Sequence, residues 1–406
     1  MADANTGKKI LWLYFDDLHT DNPILCQAAG TLTQRGFRVY VLDGSVQKVN
    51  SIYHHYAIGF RLFSKTYTAK SLINTNQPSE LKESGFHILL ILYRPLYNII
   101  LFIKALYYSL KIRPEYIVFS KPTLSGLTAL VSSIILRSRL VYYPFELYGE
   151  QHVDVPVIWK KFEMLLLQKY IVALITQNQA REKVYLKSRK SRVKAFIVHN
   201  YKLSQEILTK GKLHNLLKLS DKQRLVIYEG YLTHGRWLLN LIRSSKYLPE
   251  NATLVFIGKA LPWWKKYAVH LLLKKTYNRK IRVLPWIPGK KLLENIKDAC
   301  VGIIIYDNTK LNNYYCEPGK LSDYIISGIP VVVPNFPTIA PVVKKYSIGG
   351  VFNSSAPKEI AEAINKVIYT PRRYWRENLK RAKKDLIWET QIPNLLKAFS
   401  TETSTI

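Results

Sequence analysis

The chain has 406 residues, 48% of them hydrophobic and 22% charged, with 18 Gly and 19 Pro. That length corresponds to two or three ordinary domains, and the composition excludes a collagen, a long disordered chain and a simple coiled coil. Sixty Lys and Arg stand against 28 Asp and Glu, a net charge of +32. Such an excess repels itself, so an anionic partner is expected: a phosphorylated ligand, an acidic membrane or nucleic acid. Cys26, Cys300 and Cys316 have neither disulfide nor zinc spacing, which suits a reducing compartment. The opening MADANTGKKI lacks the apolar core of a signal peptide, and no run of 18 apolar residues is unbroken. A cytoplasmic chain without a spanning helix is the expectation.

In chain order, short runs rich in β-branched and aromatic residues fall at 9–14, 37–42, 116–119, 140–143, 171–176 and 195–199. They resume at 225–229, 253–258, 281–284, 301–306 and 330–333. Runs that are apolar throughout, rather than alternating, predict parallel strands covered on both faces. Helical patterns between them, at 23–35, 124–136, 290–299 and 357–368, make the alternating β and α units of doubly wound sheets. Strand-like runs thin out between 199 and 225, where a boundary is expected. The predicted division is 1–205, 206–370 and a basic helical end, 371–406, that returns to the first domain. Ligands of such domains sit at the carboxyl ends of the strands.

The most informative stretch is YYCEPGKLSDYIISGIPVVV at 314–333. A Pro318–Gly319 turn opens a helix, and Gly328 with Pro330 closes it before an all-valine strand. Lys320 falls in the first turn, where free amides and the helix dipole favour an anion, with Asp323 on the same face. The pair suits a phosphate and a neighbouring diol; an ordinary capped helix with a surface ion pair explains the spacing equally well.

This stretch resembles the donor-binding motif of family 4 glycosyltransferases with the GT-B fold, Pro-x-Lys-Leu-x-Glu-Tyr-x-x-x-Gly-x-Pro-Val-Val. Pro318, Lys320, Leu321, Tyr324, Gly328, Pro330, Val331 and Val332 match, and Asp323 stands at the ribose-binding acid. The family's earlier acid falls at Tyr315, leaving Glu317 as the nearest carboxylate. The run IYEGYLTHGRWL at 227–238 resembles the glycine loop around the donor diphosphate. Gly230 permits close approach of backbone to phosphate, and Arg236 is the cation left to bind it, since Tyr231 follows the glycine. Stretches 253–259 and 283–289 resemble later loops that receive the nucleotide base. The resemblance implies two Rossmann-like α/β domains, a nucleotide-diphosphate sugar as co-substrate, no metal cofactor, and transfer with retention of anomeric configuration.

The first half resembles the family more loosely, at 21–41, at 140–149 and at FIVHNY before the hinge. Glu146 fits an acidic position there, with Phe145 in place of the usual histidine, and can orient an acceptor hydroxyl or act as a base. In an inverting enzyme, Glu146 or Asp16 would be the true base. The histidines show no metal-ligand spacing, and His54–His55 is expected on a surface. Residues Trp388–Glu389 resemble the point where the terminal helix returns.

The cations cluster. Eleven lie between 160 and 202 against two acids, and ten between 259 and 291 against none. Segment 84–114 has no acid, and Arg94, Lys104, Lys111 and Arg113 alternate with aromatics including Tyr97, Phe102 and Tyr107. This suits the headgroup region of an anionic bilayer, with those three aromatics inserted. Nucleic acid is the weaker rival, because no zinc finger, RNP-like motif or Gly-x-x-Gly loop is present. The sequence therefore reads as a glycosyltransferase that moves a sugar to a lipid-linked or glycan acceptor at the cytoplasmic membrane face. A non-catalytic binding module on the same fold is the alternative from another class.

Overall fold

The computed structural model describes residues 7–15, 23–45, 51–58, 84–148, 156–207, 211–233, 236–259 and 280–400, with side chains of the helix starting at Ser84 described from residue 96. Two compact units emerge, 1–198 with 391–406, and 199–390. Each is built on one parallel sheet.

The first sheet orders seven strands as β3-β2-β1-β4-β5-β6-β7. They are β1 (Lys9–Tyr14), β2 (Arg38–Asp43), β3 (His54–Ala57), β4 (Tyr116–Phe119), β5 (Arg139–Tyr142), β6 (Ile171–Thr176) and β7 (Lys194–Ile197). The register runs through Leu11, opposite Tyr40 on one side and Ile117 on the other. Central strands β1 and β4 are buried almost throughout, as their unbroken apolar runs require. Helices Pro23–Gln34, Ser84–Ile112, Leu124–Leu136 and Val157–Lys169 intervene between strands. Closing helix Ile392–Lys397 packs on β7, and Phe399 accepts a 2.5 Å hydrogen bond from Tyr116 through its carbonyl.

The second sheet orders β10-β9-β8-β11-β12-β13. Its strands are β8 (Arg224–Glu229), β9 (Ala252–Ile257), β10 (Ile281–Leu284), β11 (Val301–Ile303), β12 (Val331–Pro334) and β13 (Gly349–Phe352). In both units the strand order reverses beside the first strand, which defines a switch point at β1/β4 and again at β8/β11. One continuous apolar core fills the second unit.

The structure departs from the sequence reading in four places. Edge strands β3 and β13 were not expected, because an edge needs pairing on one side only and HHYA and GGVF carry little apolar signal. His55 is not on the surface: it is buried, with Nε2 3.0 Å from Asp43 Oδ1, while His54 is exposed. Tyr97 packs into the core instead of facing outward, and Phe102 is half-buried. Lastly, helix Arg372–Asp385 stays with the second unit, burying Trp375, Leu379 and Ala382; the chain joins the first unit only from Gln391.

Candidate donor site

At the carboxyl end of β8 the chain turns at Gly230, whose φ of +118° favours glycine. Its carbonyl lies so close to β9 that a Cβ on Gly258 would fall 1.8 Å from that oxygen. A Cβ on Gly230 itself would meet Lys320 Nζ at 3.0 Å and Arg236 Nη1 at 3.2 Å. Three residues chosen from two distant motifs thus share one spot.

Helix Lys320–Ile326 brings Lys320 there, and Tyr324 fixes the helix. The Tyr324 ring lies under Gly302 of β11, where a Cβ would be 2.5 Å from the ring. Its hydroxyl donates to the Ile303 carbonyl at 3.3 Å and accepts from the Glu229 amide at 3.3 Å. The motif tyrosine is therefore a bolt between the helix and the ends of β8 and β11.

The two cations rest on tyrosine faces. Lys320 Nζ is 4.1 Å from the Tyr228 ring centre and 5.4 Å from that of Tyr306. Arg236 donates to the Tyr228 hydroxyl at 2.8 Å and the Tyr231 carbonyl at 3.1 Å, with its guanidinium 5.0 Å above Tyr306. Lys320 Nζ is buried and has no hydrogen-bond partner. Burial first, then the charge of Arg236, pushes its pKa well below the ordinary lysine range. Both Glu229 oxygens are likewise buried without an accepted hydrogen bond. Burial and the neighbouring Asp323 carboxylate hold Glu229 well above the usual carboxylate range.

The motif acids face a different segment, 199–202. Lys202 Nζ grips Asp323 at 2.5 and 2.6 Å from its two oxygens. Glu317 accepts from the Asn200 amide at 3.2 Å and lies 2.8 Å from His199 Nδ1, and the Asn200 side chain donates to the Glu317 carbonyl at 2.7 Å. No Lys320–Asp323 ion pair forms. Tyr315, at the family's missing acid, is half-buried with its ring 5.1 Å from that of Tyr314. Sequence reasoning missed Glu229, Lys202, Tyr228 and Tyr306. For Glu229 a signal was available: an acid ending an otherwise apolar strand immediately before the loop glycine.

In the first unit, half-buried Glu146 sits in the 144–148 loop after β5. Four side chains hold that loop by its carbonyls. Gln177 donates to Pro144 at 2.8 Å, Arg181 to Phe145 at 2.6 Å, Tyr185 to Glu146 at 2.8 Å and Arg189 to Tyr148 at 3.2 Å. Arg189 is itself fixed by buried Glu163, at 3.0 and 3.1 Å, and Glu163 also accepts from Tyr142 at 2.6 Å. Asp16 and His234 lie outside the described residues. Among the described residues no group of three or more His, Cys, Asp or Glu side chains is placed to hold a metal ion.

Residues 261–394 match the family of glucosyltransferase 3-like C-terminal domains. No curated protein matches the sequence. Sucrose-phosphate synthase from Thermosynechococcus elongatus is similar in structure, with a TM-score of 0.71 at 12% identity over 97% of this chain and 98% of that one. Anabaena HepE, in complex with UDP and glucose, has a TM-score of 0.69 at 14% identity over 97% and 99%. The UDP-forming α,α-trehalose-phosphate synthase of Burkholderia vietnamiensis has 0.65 at 10% identity over 97% and 100%. At such identities these likenesses establish the fold, and that fold is GT-B.

The His199–Glu317 contact has a testable pH signature. Burial opposes the protonated ring, but the hydrogen bond and charge of Glu317 outweigh it and raise the pKa above 6.5. A raised folded value makes the pair's stabilisation complete below about pH 6.5 and lost as pH rises through the folded pKa. NMR titration of the His199 ring is expected to show a midpoint above 6.5 that drops below it in Glu317→Gln, where burial alone remains. A wild-type midpoint below that value would contradict the assignment.

Proposed function

We propose that this chain, a glycosyltransferase of the GT-B fold resembling family 4, holds the diphosphate of a nucleotide sugar at Gly230, between Lys320 and Arg236. One observation carries the reading: a buried lysine nitrogen without a hydrogen-bond partner, beside a guanidinium, at a glycine open to close approach. An anion completes that arrangement. HepE and the trehalose-phosphate synthase named above take uridine nucleotides, which makes UDP the first nucleotide to test here.

In the reaction, the bond from the anomeric carbon to the diphosphate oxygen breaks, and the acceptor hydroxyl oxygen bonds to that carbon. With retention, the acceptor's proton passes to an oxygen of the leaving diphosphate. Lys320 and Arg236 neutralise the charge developing there and supply what a metal ion would otherwise supply. Asp323 takes the ribose diol and Glu317 the donor sugar, each released from its present partner. Glu146, on its braced loop, orients the acceptor; in an inverting enzyme Glu146 or Asp16 would instead be the base.

The acceptor is proposed to be lipid-linked, or a glycan, at the cytoplasmic membrane face, with the protein bound peripherally. On helix Ser84–Ile112, Leu96, Ile99, Ile103, Tyr107 and Leu110 form one stripe, each at least 44% exposed, while Tyr97, Leu101 and Ala105 are buried behind it. Lys104, Lys111 and Arg113 flank the stripe. On helix Val157–Lys169 of the same unit, Val157 and Ile158 are exposed beside Lys160 and Lys161. Apolar stripes edged by cations match an anionic bilayer interface, where each cation contributes about 1 kcal/mol. Among the described residues no helix is long and apolar enough to cross a membrane.

Calorimetric titration with UDP tests the donor site. Lys320→Ala and Arg236→Ala should each weaken binding by about 1.5–3 kcal/mol, the range for hydrogen bonds to charged groups. UDP affinity unchanged in both variants would refute the site.

Co-sedimentation with vesicles tests the membrane reading separately. Binding is expected to anionic but not neutral vesicles, with partial release by salt, and Ile103→Asp should remove the salt-resistant fraction. A protein that ignores anionic vesicles at low salt would overturn the peripheral, lipid-linked reading and leave the donor site standing.

A further inference from the structure

The charged groups around Gly230 are not all partnered. Asp323 is matched by both contacts from Lys202, and Arg236 makes its two hydrogen bonds. Lys320 and Glu229 are the remainder: the lysine nitrogen is buried without a hydrogen-bond partner, and neither buried Glu229 oxygen accepts a hydrogen bond, its one side-chain neighbour in hydrogen-bond reach being the Asp323 carboxylate. The other titratable groups acting on the pair are Tyr228, Tyr324 and Cys316, with Tyr306 facing the two cations. An isolated buried charge costs several kcal/mol, so the pair is tolerable only if its net charge is zero. Either Lys320 is a neutral amine and Glu229 a neutral acid, or both are ionised. These two forms carry the same single proton and differ only in where it sits.

We propose that the Glu229–Lys320 pair takes up one proton from solvent when the donor's diphosphate binds at Gly230. Lys320 then meets the phosphate oxygens as an ammonium, and Glu229 remains a neutral acid beside Asp323. The inference rests on the donor reading above and adds the charge state in which the site works. Its logic is a count. The empty pair holds one proton; an anion at Gly230 favours the ammonium and disfavours a second carboxylate, so the occupied pair holds two. Burial raises Glu229 and lowers Lys320, the directions that make the empty pair neutral in its groups rather than an ion pair. Because the complex holds one more proton than the free protein, affinity falls as pH rises, with Kd increasing up to tenfold per pH unit.

The test is calorimetry at pH 8, where the terminal phosphate, with a pKa of about 6, is already ionised and brings no proton of its own. Whichever of UDP, GDP, ADP and dTDP binds the wild-type chain is titrated in HEPES and in Tris, whose ionisation heats differ and neither of which carries a phosphate group to compete for the site. The expected result is a heat difference corresponding to uptake of about one proton, and a Kd that rises between pH 7 and pH 9. In Lys320→Met the uptake disappears, the pH dependence flattens, and binding weakens at least tenfold. Equal wild-type heats in the two buffers would overturn the inference even if the variant failed to fold. So would uptake that persists in Lys320→Met, since the proton would then reside elsewhere, for example on His199. Failure of all four nucleotides to bind would instead remove the donor reading, and this inference with it.

Discussion

Lys320 and Arg236, converging on one glycine, set the terms for the second unit. Like charges resist being brought together out of water, so burial and the neighbouring Arg236 push the Lys320 pKa down, with no acid at hydrogen-bond distance from its nitrogen. Tyrosines take the place of counter-ions: the Tyr306 face lies under both groups, the Tyr228 face under Lys320, and the Tyr228 hydroxyl accepts one guanidinium hydrogen bond. The available carboxylates are held aside, Asp323 by Lys202 and Glu317 by His199 and Asn200. The result is a spot preorganised for a phosphate group, with Arg236 in place and Lys320 ready to take up a proton, in which little must move for an anion to be received.

The sheet explains why the spot lies where it does. Strand β8 is the one at which the order reverses, so the loops after β8 and β11 diverge and leave space at their carboxyl ends. Gly230 begins one loop, Tyr306 follows β11, and Tyr324 ties helix Lys320–Ile326 to both strands through Glu229 and Ile303. The first unit repeats the topology with different furniture. There the loop after β5 is clamped by Gln177, Arg181, Tyr185 and Arg189, and its rigidity depends on Glu163 buried beneath.

Most of this was legible in the sequence because it depends on local chemistry. Runs such as LVIY and VVV can hardly be anything but buried parallel strands, and the spacing of Pro318, Lys320 and Gly328 marks a short helix with a cation at its start. The rest depends on contacts between residues far apart in the chain. Edge strands β3 and β13 exist through a neighbour rather than through their own composition. His55 is buried because Asp43 meets it across β2 and β3, which no spacing rule announces. Tyr97 and Leu96 are adjacent, yet one is core and the other exposed, a distinction fixed by the rotation of the helix against the sheet. Glu229 was passed over because the motif reading weighed the residues that follow the strand, Gly230, Tyr231 and Arg236, and not the acid that ends it.

The central claim, that Lys320 and Arg236 at Gly230 receive the donor's diphosphate, is tested most directly by a crystal structure of the protein with UDP. The account requires phosphate oxygens within hydrogen-bond distance, about 2.7–3.2 Å, of Lys320 Nζ and the Arg236 guanidinium. It would be contradicted by UDP bound elsewhere, for example in the open cavity lined by His214, Arg224 and Arg372 at the opposite end of β8.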